Sequence, residues 1–173
     1  MKAKNSVDIK VGRMIRQWMI YFQGSDYLKI DKRTNLWAIV RQNLELLPND
    51  WKPLDDRSEY ITIELLDSDA RPYYNRTAGR ELYINDLYRC YISEAGQESI
   101  RRYFENQFRN AFTVYMVARF SNPEYGLKIQ EAITDFLMDY NLEVDRKVLS
   151  RLMKYWYRFR VKYPEKFPLP IFF

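Results

Sequence analysis

Histidine is absent from this 173-residue chain, and cysteine occurs once, as Cys90. Without histidine there can be no Ser-His-Asp triad, no Cys-His dyad, no imidazole general base and no histidine-ligated metal. A single cysteine excludes a disulfide within the chain, and a cysteine close to Tyr88 and Tyr91 is more typical of a small buried hydrophobe than of a nucleophile. Because these shortages argue against most enzyme classes, we expect a non-enzymatic protein that uses no metal and no cofactor.

Glycine is also scarce, with five residues in the chain. The glycine-dependent phosphate-binding motifs G-x-x-x-x-G-K-[ST] and G-x-G-x-x-G do not occur, and neither do C-x-x-C and H-E-x-x-H. No apolar run approaches the roughly 18 residues of a membrane span, and the basic start is not followed by the apolar block of a signal peptide. We therefore expect a soluble protein without a membrane span.

Aromatic and charged residues are abundant instead. Aromatic residues make up 17% of the chain, charged residues 29% and hydrophobic residues 47%, a composition that predicts a folded protein. The net charge is +5 over residues 1–46, −6 over residues 47–144 and +6 over residues 145–173. Two basic ends around an acidic middle are typical of subunits that stack end to middle or of a protein that presents its ends to phosphate. The charges could equally belong to solvated faces without a partner.

Hydrophobic periodicity predicts a mainly helical fold, a bundle of about five helices with a small β element. The predicted helices cover residues 10–22, the stretch from Leu36 to Pro48, and residues 94–119, 128–140 and 146–162. Ser93 and Asp145 are the expected N-caps of the third and fifth helices, and Asn141 is expected to take the left-handed conformation after the fourth.

The small β element is expected within residues 59–84. The β-branched stretch Glu59–Leu66 predicts one strand, and Arg80–Ile84 predicts a second, so that the two form a hairpin or a strand pair. The length of the chain suits one domain. We expect a single helical domain over residues 1–163 and an extended tail over residues 164–173.

The predicted last helix, residues 146–162, is divided by face. One side has a row of five cations, which we call the basic row: Lys147, Arg151, Lys154, Arg158 and Lys162. Like charges four residues apart repel by a few tenths of a kcal/mol per pair, so the basic row predicts an anionic partner. Phosphates and the acidic middle of another subunit are the two candidates, and Arg13 and Arg16 of the first helix are further candidate contacts to either.

The helices within residues 128–162 also have the spacing of a helix-turn-helix, with cations on the second helix. This spacing favours, as one hypothesis, a phage or mobile-element protein that binds duplex DNA. Two amphipathic helices joined by a short turn are, however, more often an αα-hairpin of an ordinary helical protein.

Residues 164–173 form the predicted tail. Three prolines there exclude a helix, so the apolar side chains belong to an extended segment. These side chains are Phe167, Leu169, Ile171, Phe172 and Phe173. Exposed to water, these side chains would form an apolar patch that favours association. We therefore expect the tail either to cover the protein's own core or to dock on a neighbouring subunit.

Three stretches resemble small uncharacterised proteins of Bacteroidetes tailed phages and prophages. They are Leu82–Gln97 (LYINDLYRCYISEAGQ), Ile129–Leu142 (IQEAITDFLMDYNL) and Tyr155–Arg160 (YWYRFR). In a tailed phage, a small helical protein with an apolar tail is similar in type to the connector or ring proteins between head and tail. The resemblance implies a virion structural subunit, assembled in the host cytoplasm, whose partners are further copies of itself and neighbouring structural proteins.

Several carboxylates gather around one loop and strand end, namely Asp55, Asp56, Glu64, Asp67 and Asp69. Carboxylates alone can hold Mg²⁺, so a nuclease without histidine is a third hypothesis. Aspartates in such places are more typical of turns, and we therefore rank this hypothesis below the structural subunit and the DNA-binding protein.

Overall fold

The computed structural model describes residues 6–31, 33–46, 56–64, 73–75, 80–82, 90–120 and 128–163. The chain divides into two compact units, Met1–Asn106 and Gln107–Phe173. The single domain predicted over residues 1–163 stays a prediction. The predicted tail, with Phe167, Leu169, Ile171, Phe172 and Phe173, lies outside the described residues.

The described part of the chain contains five helices and short strands, which confirms a mainly helical fold with a small β element. The helices are α1 (Arg13–Gln23), α2 (Asn35–Gln42), α3 (Glu94–Phe120), α4 (Ile129–Asp139) and α5 (Arg146–Lys162). The last three agree with the predicted helices to within one residue at each end. Their long, regular apolar stripes explain this agreement.

A three-stranded sheet lies in the first unit. Its central strand, β4 (Tyr60–Glu64), pairs antiparallel with β1 (Ser6–Lys10) and parallel with β2 (Tyr27–Lys29). Alternate side chains of a strand point to the same face, and here Ile9 and Ile61 are opposite each other and fully buried. The buried side of α1, including Trp18, adds to the same unit's core.

Two short strand pairs complete the described β structure. Strand β3 (Leu44–Leu46) pairs with β7 (Cys90–Ile92), and β5 (Tyr73–Asn75) pairs with β6 (Arg80–Leu82), all antiparallel. A strand pair within residues 59–84 is therefore present as predicted. Its members differ from the prediction, however, because β6 pairs with β5, and the strand predicted at 59–66 pairs with β1 and β2 instead.

The first two helices are shorter than predicted. Lys10 belongs to β1, and Gly12 has a φ of 85°, a conformation that glycine adopts readily, so α1 begins only at Arg13. The second helix ends at Gln42 because the next residues enter β3, where Leu44 pairs with Ile92. Both differences arise from strand partners that are distant in the sequence.

The second unit contains the C-terminal part of α3 together with α4 and α5. Phe136 of α4 lies at its centre, with its ring 5.1 Å from that of Phe112 and 5.7 Å from that of Phe108 in edge-to-face contacts. Asn141 has a φ of 52°, and Asp145 accepts a hydrogen bond from the backbone N–H of Lys147, so the turn between α4 and α5 has the predicted left-handed residue and cap.

Candidate interaction surface on the last helix

The rotation of α5 about its axis is set by its packing in the second unit. Leu152 and Trp156 are buried, and the Trp156 ring stacks on that of Phe120 at 5.8 Å. Tyr155 contacts the Phe112 ring, with centroids 5.9 Å apart, and its hydroxyl lies 3.3 Å from Oγ1 of Thr113. Because these contacts bury one side of α5, the opposite side faces solvent.

All five side chains of the basic row are exposed. From residue 147 to residue 162, the row extends about 22 Å along the helix at 1.5 Å per residue. In the described part of the chain, the side chains of Lys147, Lys154 and Arg158 have no carboxylate within ion-pair distance. Lys162 places its Nζ 5.6 Å from the centre of the Tyr163 ring. These four side chains therefore present positive charge to solvent.

A second row on α5 consists of apolar side chains that face solvent. Met153, Tyr157 and Val161 are 39%, 58% and 50% exposed and follow one another at steps of four residues. We call them the outer apolar row. Residues four apart lie on the same face of a helix, and at 100° per residue this face adjoins the basic row. The two rows therefore form one continuous surface.

The outer apolar row is a face that the sequence prediction did not contain. That prediction separates the basic row from the rest of residues 146–162 and does not single out Met153, Tyr157 or Val161. A helical projection places Met153, Tyr157 and Val161 together on a third face, so the signal was available. What the sequence could not supply is which apolar face packs inside the unit and which faces solvent.

The cations predicted on the first helix lie in the first unit. Arg13 is exposed. The guanidinium of Arg16 makes its contacts within the first unit. Its Nη2 lies 2.6 Å from Oδ2 of Asp26, and its Nε donates to the carbonyl oxygen of Tyr60 at 3.1 Å. Arg16 thus ties α1 to the sheet of its own unit.

An acidic row runs along α4, formed by Glu131, Asp135 and Asp139 at steps of four residues. Arg119 of α3 places its Nη2 3.7 Å from a carboxylate oxygen of Asp135 and 4.0 Å from one of Asp139. Lys128 lies 4.0 Å from Glu131. These contacts are long for ion pairs, and one guanidinium is shared by two carboxylates, so the acidic row keeps a net negative charge.

Tyr115 of α3 anchors one end of the acidic row. Its hydroxyl donates to Oδ2 of Asp139 at 2.7 Å and accepts from Nη2 of Arg119 at 3.0 Å. Burial raises the pKa of Tyr115 above that of a free tyrosine, and the hydrogen bond to the Asp139 carboxylate raises it further. The hydroxyl therefore stays protonated at neutral pH and keeps donating to Asp139.

The carboxylates considered for Mg²⁺ do not converge in the described residues. Asp56 accepts hydrogen bonds from the backbone N–H and the hydroxyl of Ser58, and these bonds lower its pKa. Glu64 lies at the end of β4, whereas Asp55, Asp67 and Asp69 lie outside the described residues. Among the side chains that are described, no group of three or more carboxylates or thiols is arranged to hold a metal ion.

Comparisons of the chain with protein-family models, with curated proteins and with solved structures each found no match. Within the residues that the structure describes, no helix has the length and apolar character that crossing a bilayer requires. The resemblance to phage proteins therefore stays a prediction.

Proposed function

We propose that the chain is a non-enzymatic structural subunit of a virion, of the head-to-tail connector or ring type. The observation that carries the proposal is the solvent side of α5, where the basic row adjoins the outer apolar row. A surface of this kind suits contact with another protein subunit in a permanent assembly.

The outer apolar row favours a protein partner over DNA. Large apolar side chains that lie together in water are typical of interaction sites, and the cores of protein interfaces are enriched in Tyr, Met and Arg. Interfaces with DNA are more polar and rely on cations. Since α5 presents Met153, Tyr157 and Val161 beside its cations, its surface has the composition of a protein interface.

The distribution of exposed apolar residues also supports an assembly role. Of the nine large apolar side chains exposed in the described residues, seven lie in the second unit. Beyond α5 these include Val114 of α3, Met138 of α4 and Val144 in the turn. Such concentration in one unit indicates that this unit meets the partners.

Light scattering on the purified chain, with mass spectrometry of virions from a strain that carries the gene, tests the proposal. We expect a mass of several copies and the presence of the chain in particles. Tyr157→Ser should weaken self-association, whereas the control Tyr21→Ser, at a tyrosine 51% exposed on α1, should leave it unchanged. A strictly monomeric chain that is missing from particles would contradict the proposal.

A DNA-binding protein is the second candidate, because all five cations of the basic row are exposed on the second helix of the α4–α5 pair. Duplex affinity should then fall with salt, with a slope of about 0.9 per phosphate contact in a logarithmic plot. Arg151→Glu together with Lys154→Glu and Arg158→Glu should flatten that slope. Failure to retain duplex DNA even at low salt would exclude this candidate.

A further inference from the structure

We infer that α5 of one copy docks on α4 of a second copy, so that the basic row meets the acidic row. The inference rests on the proposed function and names the surface that α5 contacts in its neighbour. It starts from three features of the two helices in the described structure. These are the spacing of their charged residues, the opposite signs of those charges, and the exposed apolar side chains beside them.

The spacing of the acidic row matches that of the C-terminal part of the basic row. Glu131, Asp135 and Asp139 recur every four residues, which is about 6 Å along the axis, so the acidic row is about 12 Å long. Lys154, Arg158 and Lys162 have the same steps of four, whereas Arg151 and Lys154 are three residues apart, so the three carboxylates match the last three cations of the basic row. Exposed Glu143 and Asp145 extend the negative surface beyond the end of α4.

Neither row is fully neutralised by opposite charges within the described residues of the unit. The three carboxylates of the acidic row, Glu131, Asp135 and Asp139, share the two cations Arg119 and Lys128. On α5, Lys147, Lys154 and Arg158 have no described carboxylate in reach. Opposite net charges on two helices of one chain therefore favour association between copies and steer it.

Apolar side chains accompany the charges on both helices. Met138, 59% exposed, adjoins the acidic row, and Val144, 46% exposed, follows in the turn. Docking would cover these residues with the outer apolar row of the neighbour. Exclusion of water by this apolar contact strengthens the ion pairs beside it, because the local dielectric constant falls. The two faces thus complement each other in charge and in apolar surface.

The contact joins two different faces, so each copy offers one face to each of two neighbours. A contact of this kind repeated around an axis closes into a ring, while two such contacts formed at once between two copies give a twofold dimer. The mass of the assembly distinguishes the ring from the dimer, and the α4–α5 contact is common to both.

A charge-swap experiment tests the contact. One variant carries Lys147→Glu, Lys154→Glu and Arg158→Glu, and the other carries Glu131→Lys and Asp135→Lys. Each variant alone should be monomeric by light scattering, because like charges then face each other. An equimolar mixture should assemble again, because the acidic α5 of one variant meets the basic α4 of the other, and the unchanged faces also match.

The matched control is Lys29→Glu with Arg33→Glu, exposed cations of the first unit, and it should assemble like the native chain. Circular dichroism checks that every variant is folded. If a reversed variant loses its helical signal, Lys154→Gln with Arg158→Gln replaces it, and the expected result is a loss of about tenfold in association, or about 1.4 kcal/mol.

The outcomes separate the inference from the proposed function. Assembly by the α5-reversed variant alone, or a mixture of two folded variants that stays monomeric, would overturn the inference and leave an assembly subunit with another contact. A native chain that is monomeric would overturn both. Loss of duplex DNA binding in the α5-reversed variant, with native-like assembly, would assign the basic row to DNA and equally overturn the inference.

Discussion

At the scale of single residues, Gly96 near the start of α3 lies where the first unit has no room for a side chain. A β-carbon built there would lie 2.7 Å from Cγ2 of Ile92 and 2.8 Å from Cβ of Asn43. These two atoms lie only one or two bonds from the backbone, so they cannot move away as the end of a long, flexible side chain can. The close approach of α3 to the turn after α2 therefore depends on glycine.

We expect Gly96→Ala to destabilise the protein. Overpacking of a tight site typically costs about 1–3 kcal/mol, which outweighs the gain of up to about 1 kcal/mol that alanine brings to a helix. Urea unfolding followed by circular dichroism measures the change. Asn110→Ala, at an exposed position of the same helix, is the control and should be neutral or slightly stabilising. Equal stability of both variants would contradict the argument.

Tyr115 leads to a prediction about pH. Its pKa in the folded protein is raised, so its contribution to stability is fully present below the pKa of an unfolded tyrosine, about 10, and is lost as the pH rises through the higher folded pKa. Tyr115→Phe removes the hydrogen bond to Asp139 and should cost about 1 kcal/mol at pH 7.

The difference in unfolding free energy between the native chain and Tyr115→Phe should stay constant from pH 7 to about pH 10 and then shrink. Urea unfolding at several pH values measures it, and comparison of the two chains cancels the ionisation of other tyrosines and lysines. A difference that does not change up to pH 11 would show that the hydroxyl has no special environment.

At the scale of elements, α5 has three faces, and each has a different task. Its inner face packs in the second unit, and the basic and outer apolar rows face solvent. Trp156 and Tyr157 are neighbours in the sequence, yet their exposed fractions are 1% and 58%. One is a core residue, and the other is available to a partner.

We therefore expect Trp156→Ala and Tyr157→Ala to differ sharply. Deletion of a buried tryptophan side chain typically costs about 3–5 kcal/mol, whereas a surface substitution stays within about 0.5 kcal/mol. Urea unfolding gives the first quantity, and light scattering shows whether Tyr157→Ala weakens assembly without loss of stability. Similar unfolding midpoints for the two variants would mean that α5 is rotated differently from the arrangement described.

Strands were harder to predict than helices for a physical reason. A helix is specified by residues three and four apart, so α3, α4 and α5 could be read from local periodicity. A strand needs a partner, and Asp8 of β1 meets Thr62 of β4 across more than fifty residues. Local periodicity therefore predicts the start of a helix at residues 10–12, where the structure has the end of β1 and Gly12.

At the scale of the whole molecule, the charge blocks of the sequence meet inside the second unit. The acidic block ends at residue 144, and the basic block begins at residue 145, in the turn between α4 and α5. The last carboxylates of the acidic block and the cations of the basic block therefore lie on consecutive helices of one unit. This arrangement lets two copies match both rows.

The sequence was enough to predict the helical character, the bounds of the last three helices to within one residue and the cations of the basic row, because all of these depend on local spacing. It also identified Arg16 as a cation, but only the fold showed that Asp26 and a strand carbonyl hold it. Only the folded structure shows which apolar residues of α5 are buried and which strands pair. Burial and pairing depend on contacts between distant segments, and periodicity along the chain does not contain that information.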